Sequence, residues 1–247
     1  MTKVAVDPRT MRVAIGMPFG YHSIPWQTAL SLMDTVKVAT QHGLSVSVLA
    51  PVNTYITHAR SLVAKLFLDS DATHLFWIDS DMTWQPRDFL RMLALGGQMP
   101  VVGATYAVKR DPLMYIVPGL GGEFNEFGCL PHRGMGLGFT CVQREVIEKL
   151  AAKVGTVRLS AEGIEAPDMF RFDVIDGHVR GEDITFFADC IDLGYQPWLD
   201  PRTNVGHAGL KVYGGDVARE LGIIYPGNAA PQLDDPDFLE RARAAGM

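Results

Sequence analysis

The tripeptide Asp79-Ser80-Asp81 places two carboxylates where they can act on a charged ligand. It follows His74–Ile78, a short and almost wholly apolar run that is typical of a buried strand in a parallel sheet. Alternate side chains of an extended segment point the same way, so both carboxylates can face one point. Two hard oxygen ligands suit Mg²⁺ or Mn²⁺, which also accepts diphosphate oxygens. The alternative is an ordinary turn in which Asp79 caps a helix.

Two later segments carry further groups of this kind. Glu182 and Asp183 open a predicted helix over residues 182–193, where the helix dipole alone favours acidic side chains. In a functional interpretation, one of the two is a general base that deprotonates an acceptor hydroxyl. His207 lies among glycines in 205–209, where a ligand can approach the backbone, and imidazole is a good ligand for Mn²⁺. A lone loop histidine more often makes an ordinary hydrogen bond, but the three segments in this order are more specific than any one of them.

The first hundred residues predict the scaffold that positions these groups. Strands alternate with helices, which indicates a parallel sheet covered on both faces. The predicted strands are residues 12–17, 45–49, 74–78 and 101–106, and the helices between them begin near Pro25, Thr57 and Pro86. In such sheets ligands bind beyond the carboxyl ends of the strands, so the loops after these strands are expected on one functional rim.

The first predicted helix has an apolar stripe at helical spacing. Its members are Trp26, Leu30, Met33 and Val36. The second half of the chain is less regular. Loops or a short hairpin are expected over 111–133, a strand over 138–142, a helix over 144–152 and a strand over 196–199, whereas 153–180 has no clear pattern.

The domain organisation predicted from these patterns is simple. We expect one catalytic domain over residues 1–225, with a nucleotide-binding half over about 10–110 and a less regular acceptor half over about 111–225. A solvated C-terminal tail is expected over 226–247. The fold class is therefore α/β, with a mostly parallel sheet flanked by helices.

Composition excludes several classes of protein. The 247 residues are 47% hydrophobic and 20% charged, which excludes a disordered or fibrous chain. The apolar runs are far shorter than the ~20 residues of a membrane helix, and no secretory signal is visible at the start. The net charge of -6 argues mildly against a protein that coats nucleic acid, although a local basic cleft stays possible. Three cysteines without CxxC spacing fit reduced thiols and predict a cytoplasmic location.

The chain resembles GT-A glycosyltransferases that use nucleotide sugars, related to the large family two and similar to small versions encoded by bacteriophages. The matching segments span roughly residues 12 to 212 and read FWIDSDMTW, VVGATYAVK, GMGLGFTCVQREVIEKL, GEDITFFADCIDLGYQPWLDP and VGHAG. The resemblance implies a GT-A-type, Rossmann-like sheet. It also implies metal-dependent transfer of a hexosyl or pentosyl group from a nucleoside-diphosphate sugar to a hydroxyl, in the host cytoplasm if the gene is a phage's.

The resemblance also implies roles for the acidic residues and the histidine. Asp81 is expected to bind Mn²⁺ or Mg²⁺ directly, His207 to complete the metal site, and Asp79 to lie near the ribose or the water shell of the metal. Asp183 is the expected base of an inverting enzyme, with Glu182 as its neighbour or substitute.

Four further residues are expected around the nucleotide sugar. Pro18, in the loop after the first strand, and Ser80 are expected to line the donor pocket. Asn53 occupies a place where such enzymes often hold the base with an acidic residue, so the identity of the base stays open. Arg60 is expected either to contact the base or diphosphate or to be an exposed helix arginine.

Two other functions stay open: a nucleotidyltransferase and a non-catalytic domain that binds nucleotide sugars. A nucleotidyltransferase is expected to have a basic, glycine-rich loop after the first strand, whereas the segment MPFGYHSIP contains no Lys or Arg. The acceptor is open among a modified DNA base, a protein and a glycan, and the sequence does not indicate an oligomeric state. Lys109 and Arg110 follow a predicted strand, but we leave them outside the predicted site because loop cations are more often solvated.

Overall fold

A computed structural model of the chain describes residues 10–160 and 163–225. The predicted tail over 226–247 lies outside the described residues. The helices are α1 (Trp26–Gln41), α2 (Ile56–Leu68), α3 (Pro86–Gly96), α4 (Arg144–Val154), α5 (Glu182–Asp192) and α6 (Val217–Glu220). The strands are β1 (Arg12–Gly16), β2 (Ser45–Leu49), β3 (His74–Ile78), β4 (Met82–Thr83), β5 (Val101–Gly103), β6 (Leu130–Pro131), β7 (Phe139–Gln143), β8 (Thr156–Arg158), β9 (Glu165–Pro167), β10 (Asp173–Ile175), β11 (His178–Arg180), β12 (Trp198–Leu199), β13 (Gly206–Ala208) and β14 (Val212–Tyr213).

A seven-stranded sheet forms the centre of the fold, in the order β2-β1-β3-β7-β5-β12-β6. Strands β2, β1 and β3 are parallel, and β12 is parallel to β5. Strand β7 runs antiparallel between β3 and β5, and β6 pairs antiparallel with β12. The sheet is thus mostly parallel with helices on both faces, which confirms the predicted α/β class.

Both faces of the sheet are buried. Alternate residues of the central strands enter different hydrophobic clusters, as the period of a strand requires. Ile15, Phe76, Ile78, Val102 and Phe139 pack with α1 and α3 on one face. Ala14, Leu75, Trp77, Val101 and Val142 pack with α2, α4 and α5 on the other. Burial on both faces explains why β3 is almost wholly apolar.

The apolar stripe of α1 is exposed. Trp26 is 68% exposed and Met33 is 67% exposed. The face that packs against the protein consists of small side chains, namely Thr28, Ser31, Thr35 and Ala39. The spacing predicts the helix correctly, but its apolar stripe is not the buried face.

The buried hydroxyls of α1 explain this orientation. The indole Nε1 of Trp84 donates to Thr35 Oγ1 at 2.8 Å, and the backbone N–H of Trp84 donates to Ser31 Oγ at 3.1 Å. Because buried donors need acceptors, these two bonds favour the hydroxyl face over the apolar stripe. Apolar periodicity does not register hydrogen bonds of this kind.

Some predicted boundaries differ from the structure. Helix α2 begins at Ile56, so Thr57 lies in the first turn and does not cap it. The strand predicted over 101–106 ends at Gly103. The region 153–180 contains two hairpins, β8–β9 and β10–β11. No helix within residues 10–160 and 163–225 is long and apolar enough to cross a membrane.

Candidate active site

The loop after β3 is held in a tight turn at the centre of the sheet. The backbone N–H of Asp79 donates to Gly138 O at 3.1 Å, and that of Met82 donates to Asp79 O at 3.1 Å. The turn therefore lies at the carboxyl end of β3 and beside the start of β7. This is the rim on which the sequence predicts ligand binding.

Two glycines before β7 make room for side chains of the protein itself. A Cβ atom at Gly138 would collide with the carboxylate of Asp79, and one at Gly136 would collide with the phenol of Tyr106. The glycine-rich segment therefore lets Asp79 and Tyr106 pack against the backbone at this point.

Asp81 and His207 lie side by side, although they are far apart in the sequence. Strand β13 pairs with β4 so that His207 is opposite Met82, and the backbone N–H of Ala208 donates to Asp81 O at 2.7 Å. The Nε2 atom of His207 is 3.4 Å from Asp81 Oδ1. A small three-stranded sheet, β14-β13-β4, thus brings the late histidine to the loop after β3.

One hydrogen bond orients the imidazole of His207. Its Nδ1 lies 3.0 Å from the carbonyl oxygen of Ala107. Because a carbonyl only accepts, Nδ1 carries a proton, and Nε2 is the ring nitrogen that faces Asp81. A metal-binding histidine usually donates its other ring N–H to a carboxylate, a backbone carbonyl or water.

The carboxylate of Asp81 has a cationic partner on its other side. Lys109 Nζ contacts Asp81 Oδ2. Partial burial acts to raise the pKa of Asp81, but the hydrogen bonds with His207 and Lys109 outweigh it and lower the pKa below its usual range. Asp81 is therefore ionised at neutral pH.

Asp79 faces away from this pair, with both of its oxygens bound. Its Oδ1 accepts from Arg60 Nη2 at 3.0 Å, and its Oδ2 accepts from the hydroxyl of Tyr106 at 3.0 Å. Asp79, Asp81 and His207 accordingly do not form one three-ligand group within the described parts of the chain. Asp81 and His207 are together, and Asp79 belongs to the neighbouring network around Arg60.

Arg60 joins the two acidic motifs. It is only 2% exposed, so it is not the exposed helix arginine of one alternative. Its Nη1 lies 3.2 Å from Glu182 Oε1 and contacts Asp183 Oδ1, while its Nη2 binds Asp79. Burial acts to lower the pKa of Arg60, but Asp79 and Glu182 outweigh it and raise the pKa above its ordinary value.

Tyr106 is a site residue that the sequence analysis missed. Its hydroxyl donates to Asp79 and accepts from the backbone N–H of Gly138 at 3.3 Å. Burial, followed by the charge of Asp79, raises the pKa of Tyr106 well above its usual value, so it is a neutral donor. The signal was its position at the end of a predicted strand, on the functional rim.

The residues predicted to line the donor pocket lie on the neighbouring loops of this rim. Pro18 is buried directly after β1. The backbone N–H of Asn53 donates to Phe19 O at 2.9 Å, and its side-chain Oδ1 accepts from Tyr55 N–H at 3.0 Å. Asn53 therefore shapes the turn that leads into α2. Ser80 lies half-buried between the two aspartates.

The donor set of Asp81 and His207 fits a hard divalent cation. It offers a carboxylate oxygen and an imidazole nitrogen whose orientation is fixed by Ala107. Two protein ligands leave coordination positions for phosphate oxygens and water, which is the pattern Mg²⁺ prefers at phosphate sites.

Comparison with known proteins supplies the fold type. The crystal structure of A197 from STIV superposes with a TM-score of 0.51 at 21% identity, over 81% of this chain and 86% of that one. The chain has a GT-A-like fold. No protein-family profile and no curated protein matches the sequence.

Two further structural matches have TM-scores below 0.5. GalNAc-T7 with UDP, GalNAc and Mn²⁺ gives a TM-score of 0.48 at 13% identity, over 80% of this chain and 44% of that one. A glycosyltransferase involved in the glycosylation of the major capsid of PBCV-1 gives a TM-score of 0.34 at 11% identity, over 56% of this chain and 63% of that one.

Proposed function

We propose that the protein is a metal-dependent glycosyltransferase that moves a sugar from a nucleoside-diphosphate sugar to an acceptor hydroxyl. The observation that supports this most is the position of His207 Nε2, 3.4 Å from Asp81 Oδ1, at the carboxyl end of β3. A carboxylate pair suited to base catalysis, Glu182 and Asp183, is linked to the same loop through Arg60.

Asp81 and His207 would hold Mn²⁺ or Mg²⁺ in this enzyme. When bound, the cation neutralises the charge that develops on the leaving diphosphate. The hydrogen bond from His207 Nδ1 to Ala107 holds the ring so that Nε2 remains available. Asp79 and Ser80 would contact the sugar-nucleotide, with Asp79 held in place by Arg60 and Tyr106.

The remaining predicted residues would divide the donor and acceptor roles. Pro18 and Asn53 lie on loops at the carboxyl ends of β1 and β2 and would line the nucleoside pocket. Asp183 would take the proton from the acceptor hydroxyl, with Glu182 as its neighbour. Arg60 holds both carboxylates at the start of α5 and so fixes their distance from the loop after β3.

A donor panel tests this function. The purified protein is incubated with UDP-, GDP- and other nucleoside-diphosphate hexoses and pentoses, with Mn²⁺ or with EDTA, and nucleoside diphosphate release is measured. We expect release from one donor that needs the metal and is lost in Asp81→Asn. No release and no thermal shift with any donor would contradict the proposal.

Further incubations distinguish the two alternative functions, a nucleotidyltransferase and a non-catalytic domain. A nucleotidyltransferase incubated with nucleoside triphosphates and a sugar phosphate would release pyrophosphate, and a non-catalytic domain would bind the donor without turnover. Adding hydroxymethylated DNA, a protein mixture or glycans then identifies the acceptor class by the product that carries the sugar.

We further propose a cytoplasmic location, supported by the free, buried thiols of Cys129, Cys141 and Cys190.

A further inference from the structure

We propose that Lys109 is a phosphate-binding residue of the donor site, held on Asp81 until a divalent cation displaces it. This inference rests on the proposed function. The carboxylate of Asp81 has one oxygen toward His207 Nε2 and the other in contact with Lys109 Nζ. The ammonium group therefore lies beside the metal ligands, where cation and phosphates would meet.

The distal part of Lys109 lies against a neighbouring turn and its ammonium group contacts Asp81, so it is not a free loop cation. A Cβ atom at Gly209 would lie 3.1 Å from Lys109 Cδ, so the aliphatic stem crosses the turn between β13 and β14 at a glycine. Two residues earlier, the carbonyl of Ala107 orients His207. One short segment thus positions both the metal-binding imidazole and the ammonium group.

The charges of the site favour binding of a divalent cation. Four carboxylates, those of Asp79, Asp81, Glu182 and Asp183, face the two cations Arg60 and Lys109. The site therefore carries an excess of two negative charges, which one divalent ion cancels. Because two cations on one carboxylate repel each other, an ion bound to Asp81 displaces the ammonium group.

Arg60 is poorly placed to bind the diphosphate. Its side chain is 3% exposed and is bound to Asp79, Glu182 and Asp183, whereas that of Lys109 is 35% exposed. An ammonium group on a flexible four-carbon stem can move from Asp81 to a phosphate oxygen beside it. Lys109 would then stabilise the negative charge on the diphosphate together with the metal.

The test uses Lys109→Met, which keeps the stem and removes the charge, together with Lys109→Arg. Mn²⁺ affinity is measured without nucleotide by the electron paramagnetic resonance of free Mn²⁺. Affinity for UDP and GDP is measured by calorimetry at saturating Mn²⁺. We expect Lys109→Met to bind Mn²⁺ about fivefold more tightly and the nucleoside diphosphate about tenfold more weakly, because one charge-assisted hydrogen bond is lost. Lys109→Arg restores nucleotide binding to within about twofold.

Arg110→Met is the matched control, since it removes the adjacent exposed cation and should change neither affinity. An unchanged nucleotide affinity in Lys109→Met, or a weaker Mn²⁺ affinity, overturns the role of Lys109. If the wild type binds Mn²⁺ and nucleotide and Lys109→Met is unchanged, only this inference fails. If the wild type binds neither, the proposed function itself fails. Thermal unfolding verifies that each variant is folded.

Discussion

Arg60 Nη2 lies 3.0 Å from Asp79 Oδ1, and Nη1 of the same guanidinium lies 3.2 Å from Glu182 Oε1. The arginine is in α2, Asp79 follows β3, and Glu182 opens α5. One buried side chain therefore connects three elements from distant parts of the chain. The relative positions of the two acidic motifs depend on it.

Arg60→Met should destabilise the fold and disable the site. Removing one partner of a buried ion pair leaves carboxylates without a counter-charge, so we expect the free energy of unfolding to fall by about 3 kcal/mol. Urea unfolding measures this. Lys65→Met, on the same helix but exposed, is the control and should change stability by less than about 1 kcal/mol. Equal effects of the two substitutions would show that Arg60 does not hold the motifs together.

Substitution of the acidic pair should distinguish the base from its neighbour. We expect Asp183→Asn to lower the turnover number by about 10²–10⁴-fold, since a general base is lost, with donor affinity nearly unchanged. Glu182→Gln should have a smaller effect. Turnover and donor affinity are measured separately, by product release and by calorimetry. A larger loss of turnover in Glu182→Gln than in Asp183→Asn would exchange the two roles.

Stability should fall in mild acid because of His132. This residue is 1% exposed, its ring contacts Phe187 at a centroid distance of 5.0 Å, and burial lowers its pKa from 6.5 to about 4. The folded state thus favours the neutral ring, and unfolding takes up a proton between those two pH values. The stability that depends on a neutral His132 is fully present above pH 6.5 and is lost progressively as the pH falls toward 4. His132→Leu should show a shallower loss of unfolding free energy between pH 7 and pH 5, and an identical pH profile would contradict this.

The two faces of α1 should respond differently to a charge. Met33 is 67% exposed, so Met33→Glu should change the free energy of unfolding by no more than about 0.5 kcal/mol. Ala39 is 1% exposed, and Ala39→Glu buries a carboxylate at a cost of several kcal/mol. Chemical denaturation compares the two variants. A greater loss in Met33→Glu than in Ala39→Glu would show that the apolar stripe is the buried face of α1.

The central elements of the fold were predictable because their signals are local. The apolar run of β3 and the helix opened by Glu182 lie where the sequence pattern predicts them. The antiparallel insertion of β7 was not predictable, since strand direction is set by pairing partners that composition does not encode. The same holds for α1, whose buried face is selected by hydrogen bonds from Trp84.

The sequence predicted which residues belong to the candidate site better than it predicted the contacts between them. The order of motifs pointed to Asp81 and His207, and the structure places them together. The sequence did not indicate that Arg60 and Tyr106 bind the two oxygens of Asp79, because these residues are distant along the chain and meet only in the folded protein. Lys109 has no sequence signal beyond its charge.

A crystal soaked with Mn²⁺ and UDP or GDP, with anomalous data collected at the manganese edge, tests the proposed metal site most directly. We expect one manganese peak within about 2.3 Å of Asp81 Oδ1 and His207 Nε2, with diphosphate oxygens completing its coordination. A manganese ion bound to the diphosphate at a distance from both side chains would contradict the proposed metal site.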